Sequence, residues 1–141
     1  MKLSTLLTGR WQLGILLAGT TLLGACSYTY EPVPLCSTPL PNAVSYKTDV
    51  LPILQAKCYR CHSAANYNNP MPNGSGGALN MESFAALKTW TQSAGGGESY
   101  IVGSIRQLPG YNQMPFDGKD GPDACQIALI KAWVAAGAPN N

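Results

Sequence analysis

The chain has 141 residues, with 9 Lys or Arg against 7 Asp or Glu, so it has room for one small domain and a formal charge of only +2. Lys2 and Arg10 account for that excess; the remainder balances at seven against seven, with no basic face for nucleic acid. Five cysteines and a single histidine concentrate the chain's chemistry in very few side chains.

The chain begins like a targeting leader. Lys2 and Arg10 form a positive n-region, and Leu13 to Leu23 make an apolar run of signal-peptide length, too short to span a bilayer comfortably. The run ends in Leu23-Gly24-Ala25-Cys26, which resembles the lipobox of bacterial lipoproteins. That resemblance implies removal of residues 1–25, diacylglycerol on the Cys26 thiol and acylation of its amine. The alternative is an ordinary signal peptide cut near Ala25. From Ser27 to Pro41 the chain is rich in Pro, Tyr and Ser, and Pro32, Pro34, Pro39 and Pro41 break any helix. Residues 26–44 therefore read as a tether, with Tyr28 and Tyr30 near the membrane interface or the domain surface, and residues 45–139 as the folded domain.

A first helix is expected from an Asp49 N-cap, with Pro52 tolerated in its first turn. Leu51, Leu54, Cys58 and Cys61 fall on one stripe, while Lys57 and Arg60 fall off it and read as solvated, with propionate binding a lesser role for Arg60. The stripe ends in Cys58-Tyr59-Arg60-Cys61-His62, two thiols three residues apart followed at once by a histidine. This is the attachment signature of c-type haem. Positions i, i+3 and i+4 share a helix face, so both thiols are expected to reach one porphyrin edge, with His62 beneath the iron. A structural zinc site needs four ligands, and only Cys36 and Cys125 remain to join Cys58, Cys61 and His62, without a second knuckle spacing. A dithiol redox pair expects a βαβ context, and these flanks read as helix.

With Cys26 assigned to lipid and Cys58 and Cys61 to haem, Cys36 and Cys125 remain. An even pair in an oxidising compartment reads as a disulfide, with two buried thiols as the alternative.

Residues 63–80 form an Asn-, Pro- and Gly-dense loop whose Gly74, Gly76 and Gly77 read as turn chemistry. Asn80 is expected to cap a helix from Met81 to about Gln92, with Phe84, Leu87 and Trp90 inward; Gly95 to Gly97 end it. A third helix, Glu98 to about Leu108, presents Ile101, Val102 and Ile105 inward. In the loop from Pro109 to Gly118, Pro115 forces Met114 towards an extended backbone. The last helix, from Pro122 to Ala136 with Gly137 at its end, is apolar on most sides and expected to be largely buried. These readings give an all-α fold of about four helices, with no competing strand signal.

Three motifs then carry a family resemblance: Val50-Leu51-Pro52-Ile53-Leu54, Met114-Pro115, and Trp133 to Gly137-Ala138. Together with Cys58-Tyr59-Arg60-Cys61-His62, the region from Ser45 to Pro139 resembles a monohaem class I cytochrome c domain. The resemblance implies a small helical bundle around one covalent haem c, with His62 and a loop methionine as axial ligands. Better-known members carry a glycine and an aromatic eight and four residues before the first haem cysteine; Val50 and Leu54 stand there here. A wider or shifted crossing of the terminal helices is implied, with Trp133 filling the space.

Methionine raises the potential of a His-ligated haem, and the region after residue 26 offers Met71, Met81 and Met114. Met81 reads as core. Met71 lies only nine residues after His62, whereas Met114 lies 52 residues on, far enough to reach the opposite haem face. Met114 is the expected ligand and Met71 the alternative. Asn112, Tyr111, Trp90 and Arg106 are candidates for propionate hydrogen bonds, though each also reads as ordinary surface or core.

The expected function is non-enzymatic: one-electron transfer by a lipid-anchored carrier facing the periplasm, with redox proteins of the periplasm or membrane as partners. Ser27 gives no inner-membrane retention signal, which favours the outer membrane. Alternatives are an open-site haem protein binding a gas or peroxide, disfavoured because the single histidine leaves no distal base, or an electron-relay subunit of a larger complex.

Overall fold

The computed structural model describes residues 36–71, 74–76, 79–93 and 96–141. The expected leader of residues 1–25, the lipid acceptor Cys26, Tyr28 and Tyr30 of the tether, and Gly77 and Gly95 lie outside the described residues.

Ser45 starts the helical run. Its Oγ accepts from Thr48 N, and its own N–H donates to Asp49 Oδ2 at 2.7 Å, a reciprocal cap that satisfies two otherwise orphaned groups. A π-helical turn, Tyr46–Val50, follows and runs directly into α1 (Leu51–Lys57). The run thus begins four residues before the expected Asp49 cap, and Asp49 acts backwards from within the first turn. Pro52 sits at the start of α1, where no intrahelical donor is needed. At Cys58 the backbone deviates to φ −114°, ψ −34°, and the chain continues as α2 (Tyr59–His62). The expected first helix is therefore three short segments.

Serines also start α3 (Phe84–Trp90) and α4 (Tyr100–Ile105): Ser83 accepts from Ala86 N and Ser99 from Val102 N. Both helices are shorter than the spacing suggested. Asn80 does not cap α3 but accepts from Glu82 N in the preceding turn. The last helix, α5 (Ala124–Ala135), has a full capping box between Asp123 and Gln126. Gly137, at φ +85°, closes its other end, with Ala138 N donating to Trp133 O. The Lys88 ammonium of α3 donates to the carbonyls of Gly137 and Ala138, placing a cation at the negative end of α5.

Among the described residues the fold is helical, with no strand and one isolated antiparallel bridge between Ser93 and Ser99. The core centres on Trp133, fully buried with Val50, Leu54, Leu87, Val102 and Ile130. Each such aliphatic side chain stabilises the fold by about 1.5–3 kcal/mol. The Trp133 ring stacks on Tyr46 at 5.5 Å, Phe84 packs edge-on to Tyr46 at 4.8 Å, and Trp133 Nε1 donates to Pro139 O. The crossing of α5 falls on the π-helical turn, whose Val50 is fully buried, while Leu54 of α1 fills the interior beyond it. Of the α5 side chains only Ile130 and Trp133 are fully buried; Ile127, Leu129 and Val134 are half-buried, so the helix is less enclosed than its composition suggests. A disulfide joins Cys36 to Cys125 at the start of α5, with Cα atoms 4.5 Å apart across 89 positions.

Candidate functional site

The break at Cys58 shapes the site. Its carbonyl accepts from both Cys61 N (3.1 Å) and His62 N (2.9 Å), so one peptide oxygen organises the following turn. Cys58 and Cys61 are not joined to each other. Burial pushes the Cys58 thiol up to about 11, against the opposing pull of Arg60. Redox dithiols and thiolate ligands need the opposite shift. Among the described residues no group of three or more His, Cys, Asp or Glu is placed to hold a metal ion.

His62 Nδ1 lies 3.1 Å from the Leu79 carbonyl, which it donates to as the neutral ring, leaving Nε2 as the ring nitrogen able to bind a metal. Burial lowers the imidazole pKa, the Leu79 bond partly opposing it, which favours the neutral form a ligand requires. Met81 N donates to His62 O at 2.7 Å, so the ring and the backbone of His62 are both tied to the 79–81 segment.

Cys58, Cys61 and His62 border a cavity of about 470 Å³, within the range of roughly 300–1,000 Å³ typical of cofactor sites. Leu79, Ile101, Ile105 and Trp90 give it apolar walls, and Met71, Met81 and Met114 line it. They differ in how they are held. Met81 is 6% exposed and part of the core, while Met71 is 42% exposed. Met114 is half-buried, and its N–H donates to Ser104 O at 3.1 Å, which ties its backbone to the end of α4. The Met114–Pro115 peptide is cis.

The residues considered for propionates have other commitments or lie at the rim. Tyr111 Oη donates to Glu98 O at 2.7 Å, and Arg106 pairs with the Glu98 carboxylate at 3.2 Å, as does Lys131. Trp90 and Asn112 line the cavity. Arg60 is exposed, as its place off the stripe implied, but it is not unpartnered: its two Nη atoms grip Asp117 at 2.7 and 2.8 Å, and Nη2 also donates to Lys119 O at 3.0 Å. Asp117, which also lines the cavity, was missed by sequence reasoning; its partner lies 57 positions away and no spacing rule connects them.

A close approach supports the loop from the other side. Gly103 in α4 packs directly beneath the Tyr111 ring, where an added Cβ would fall inside van der Waals contact. No helix among the described residues is long and apolar enough to cross a membrane. No family model, curated protein or solved structure matches this chain.

Proposed function

We propose that this chain is a monohaem c-type cytochrome and serves as a one-electron carrier, not an enzyme. The observation that carries the reading is the convergence of Cys58, Cys61, His62 and Met114 on one largely apolar cavity of cofactor size. The donor set fits haem c: two thiols for covalent attachment, an imidazole whose Nδ1 is already occupied, and a thioether on a separate loop. Bound haem supplies a reversible couple between ferrous and ferric iron.

The chain's own residues do the rest. Cys58 and Cys61 would hold the haem covalently, and the Leu79 carbonyl orients the His62 ring so that its Nε2 would be available to the iron. Met114 would supply the second protein ligand from its separate loop, and with both in place the iron would take no substrate. Leu79, Ile101 and Ile105 exclude water, which tunes the potential. Residues 45–139 form the haem domain of the small four-helix cytochrome type. Residues 1–25 act as a lipoprotein signal peptide, and Cys26 anchors residues 26–44 to the periplasmic side of a membrane, the outer one by preference. There the domain exchanges electrons with other redox proteins.

The test is a redox-titrated visible spectrum of the purified, haem-matured full chain, followed by carbon monoxide addition to the reduced form. Covalently retained haem, a thioether-to-ferric-iron band and no carbon monoxide complex at neutral pH are expected. Haem extracted by acidified solvent would overturn covalent attachment. Rapid stoichiometric carbon monoxide binding would replace the carrier reading with an open-site protein that binds gas or peroxide.

A further inference from the structure

We propose that Arg60 and Asp117 form a latch that positions Met114: a guanidinium on the haem-attachment turn holds down the loop that carries the second ligand. The positioning role rests on Met114 being that ligand, as proposed above; the latch itself does not. Arg60 lies between Cys58 and Cys61, so its backbone is fixed by the same turn that orients His62. From there it makes a two-pronged bond to Asp117 and a third bond to Lys119 O. Asp117 also accepts from Lys119 N at 3.1 Å, and Gly118 N donates to Pro115 O at 3.1 Å, so the segment is folded tightly around the gripped carboxylate. At its other end Met114 N is bonded to Ser104 O. Residues 114–119 are thus pinned to α4 at one end and to α2 at the other, with Met114 lining the cavity between.

Magnitudes decide what this pair does. Its side chains are 39% and 38% exposed, and exposed pairs contribute little to global stability, even with the good geometry of a carboxylate–guanidinium fork. A short loop with few other ties responds to such an energy, whereas a core packed around Trp133 does not. Loss of the latch therefore releases Met114 locally before the helices unfold.

The experiment compares haem-matured wild type, Asp117→Asn, Arg60→Lys and the charge exchange Arg60→Asp with Asp117→Arg. The thioether–iron band and the helical circular dichroism are followed through the same urea titration, together with hydrogen exchange of the Met114 and Gly118 amides. In wild type, band and helix signal fade together. In Asp117→Asn the band is expected to fade at lower urea than the helix signal, and the two amides to exchange roughly fivefold faster. Arg60→Lys keeps the charge but not the fork and falls between, and the charge exchange restores part of the protection. An Asp117→Asn band that fades with the helix signal at the wild-type midpoint, with unchanged exchange, overturns the latch. Faster loop exchange in a protein whose wild type shows no thioether band overturns Met114 ligation and its positioning. Should the variants fail to accumulate, sodium chloride added to wild type should quicken exchange at Met114 and Gly118 but not at Ile130. Equal insensitivity at all three positions counts against the latch.

Discussion

Arg60 and Asp117 face each other as a fork on a fork, Nη1–Oδ2 at 2.8 Å and Nη2–Oδ1 at 2.7 Å. The guanidinium, followed by the Lys119 N–H, holds the Asp117 carboxyl well below the usual carboxylate range. A carboxyl depressed in the folded state stabilises that state fully above its unfolded value of about 3.9, and the contribution fades as pH falls below that value towards the folded one. The urea midpoints of the thioether–iron band in wild type and Asp117→Asn should therefore differ by a constant amount from about pH 7 to pH 5, and the gap should begin to close below about pH 4. A gap unchanged down to about pH 2 would assign the asparagine's effect to packing instead.

Met114 and Met71 border the same cavity, so substitution of each separates them. Met114→Ala is expected to abolish the thioether-to-ferric-iron band and let carbon monoxide bind the reduced protein, while Met71→Ala leaves both unchanged. The reverse pattern would transfer the ligand role to Met71.

Gly103→Ala tests the close approach of Tyr111 to α4. Alanine gains about 1 kcal/mol of helix propensity, but overpacking against a ring anchored to Glu98 O costs about 1–3 kcal/mol. The overpacking cost should prevail, seen as a lower urea midpoint. An equal or higher midpoint would mean that the ring slides aside without loss.

Cys36 and Cys125 do not line the cavity, and their bridge closes a long loop. Replacing both with serine should lower unfolding free energy by about 2–4 kcal/mol and leave the visible spectrum of the haem-matured protein unaltered. A changed spectrum with unchanged stability would contradict both expectations.

How far the site could be read in advance depended on how local its chemistry is. The proposed covalent attachment involves residues within one turn, so the candidates Cys58, Cys61 and His62 can be named from spacing alone. Helical character was legible in the apolar patterning, since Leu87, Ile101, Val102, Ile130 and Trp133 fall where the periodicity placed the interior. Helix starts were not, because several capping residues compete at each end and tertiary context selects among them: Ser45 and Ser83 prevail over Asp49 and Asn80, and Ser99 caps a helix expected to begin at Glu98. The Arg60–Asp117 pair was illegible for a different reason. Two surface charges far apart in the chain leave no periodic trace, and only the folded loop brings them together.

The disulfide also determines how force would enter the domain. Tension arriving along the chain from before residue 36 passes through sulfur to Cys125 and into α5, a helix held by the Asp123–Gln126 capping box at one end and by Lys88 at the other. Residues 37–44 are left slack, and so is the start of the Tyr46–Val50 turn, whose grip on Asn141 through Ser45 Oγ, Tyr46 N and Lys47 N consists only of hydrogen bonds. A pull on the chain before Cys36 thus reaches the helical run carrying Cys58, Cys61 and His62 by way of α5, where Tyr46 stacks on Trp133.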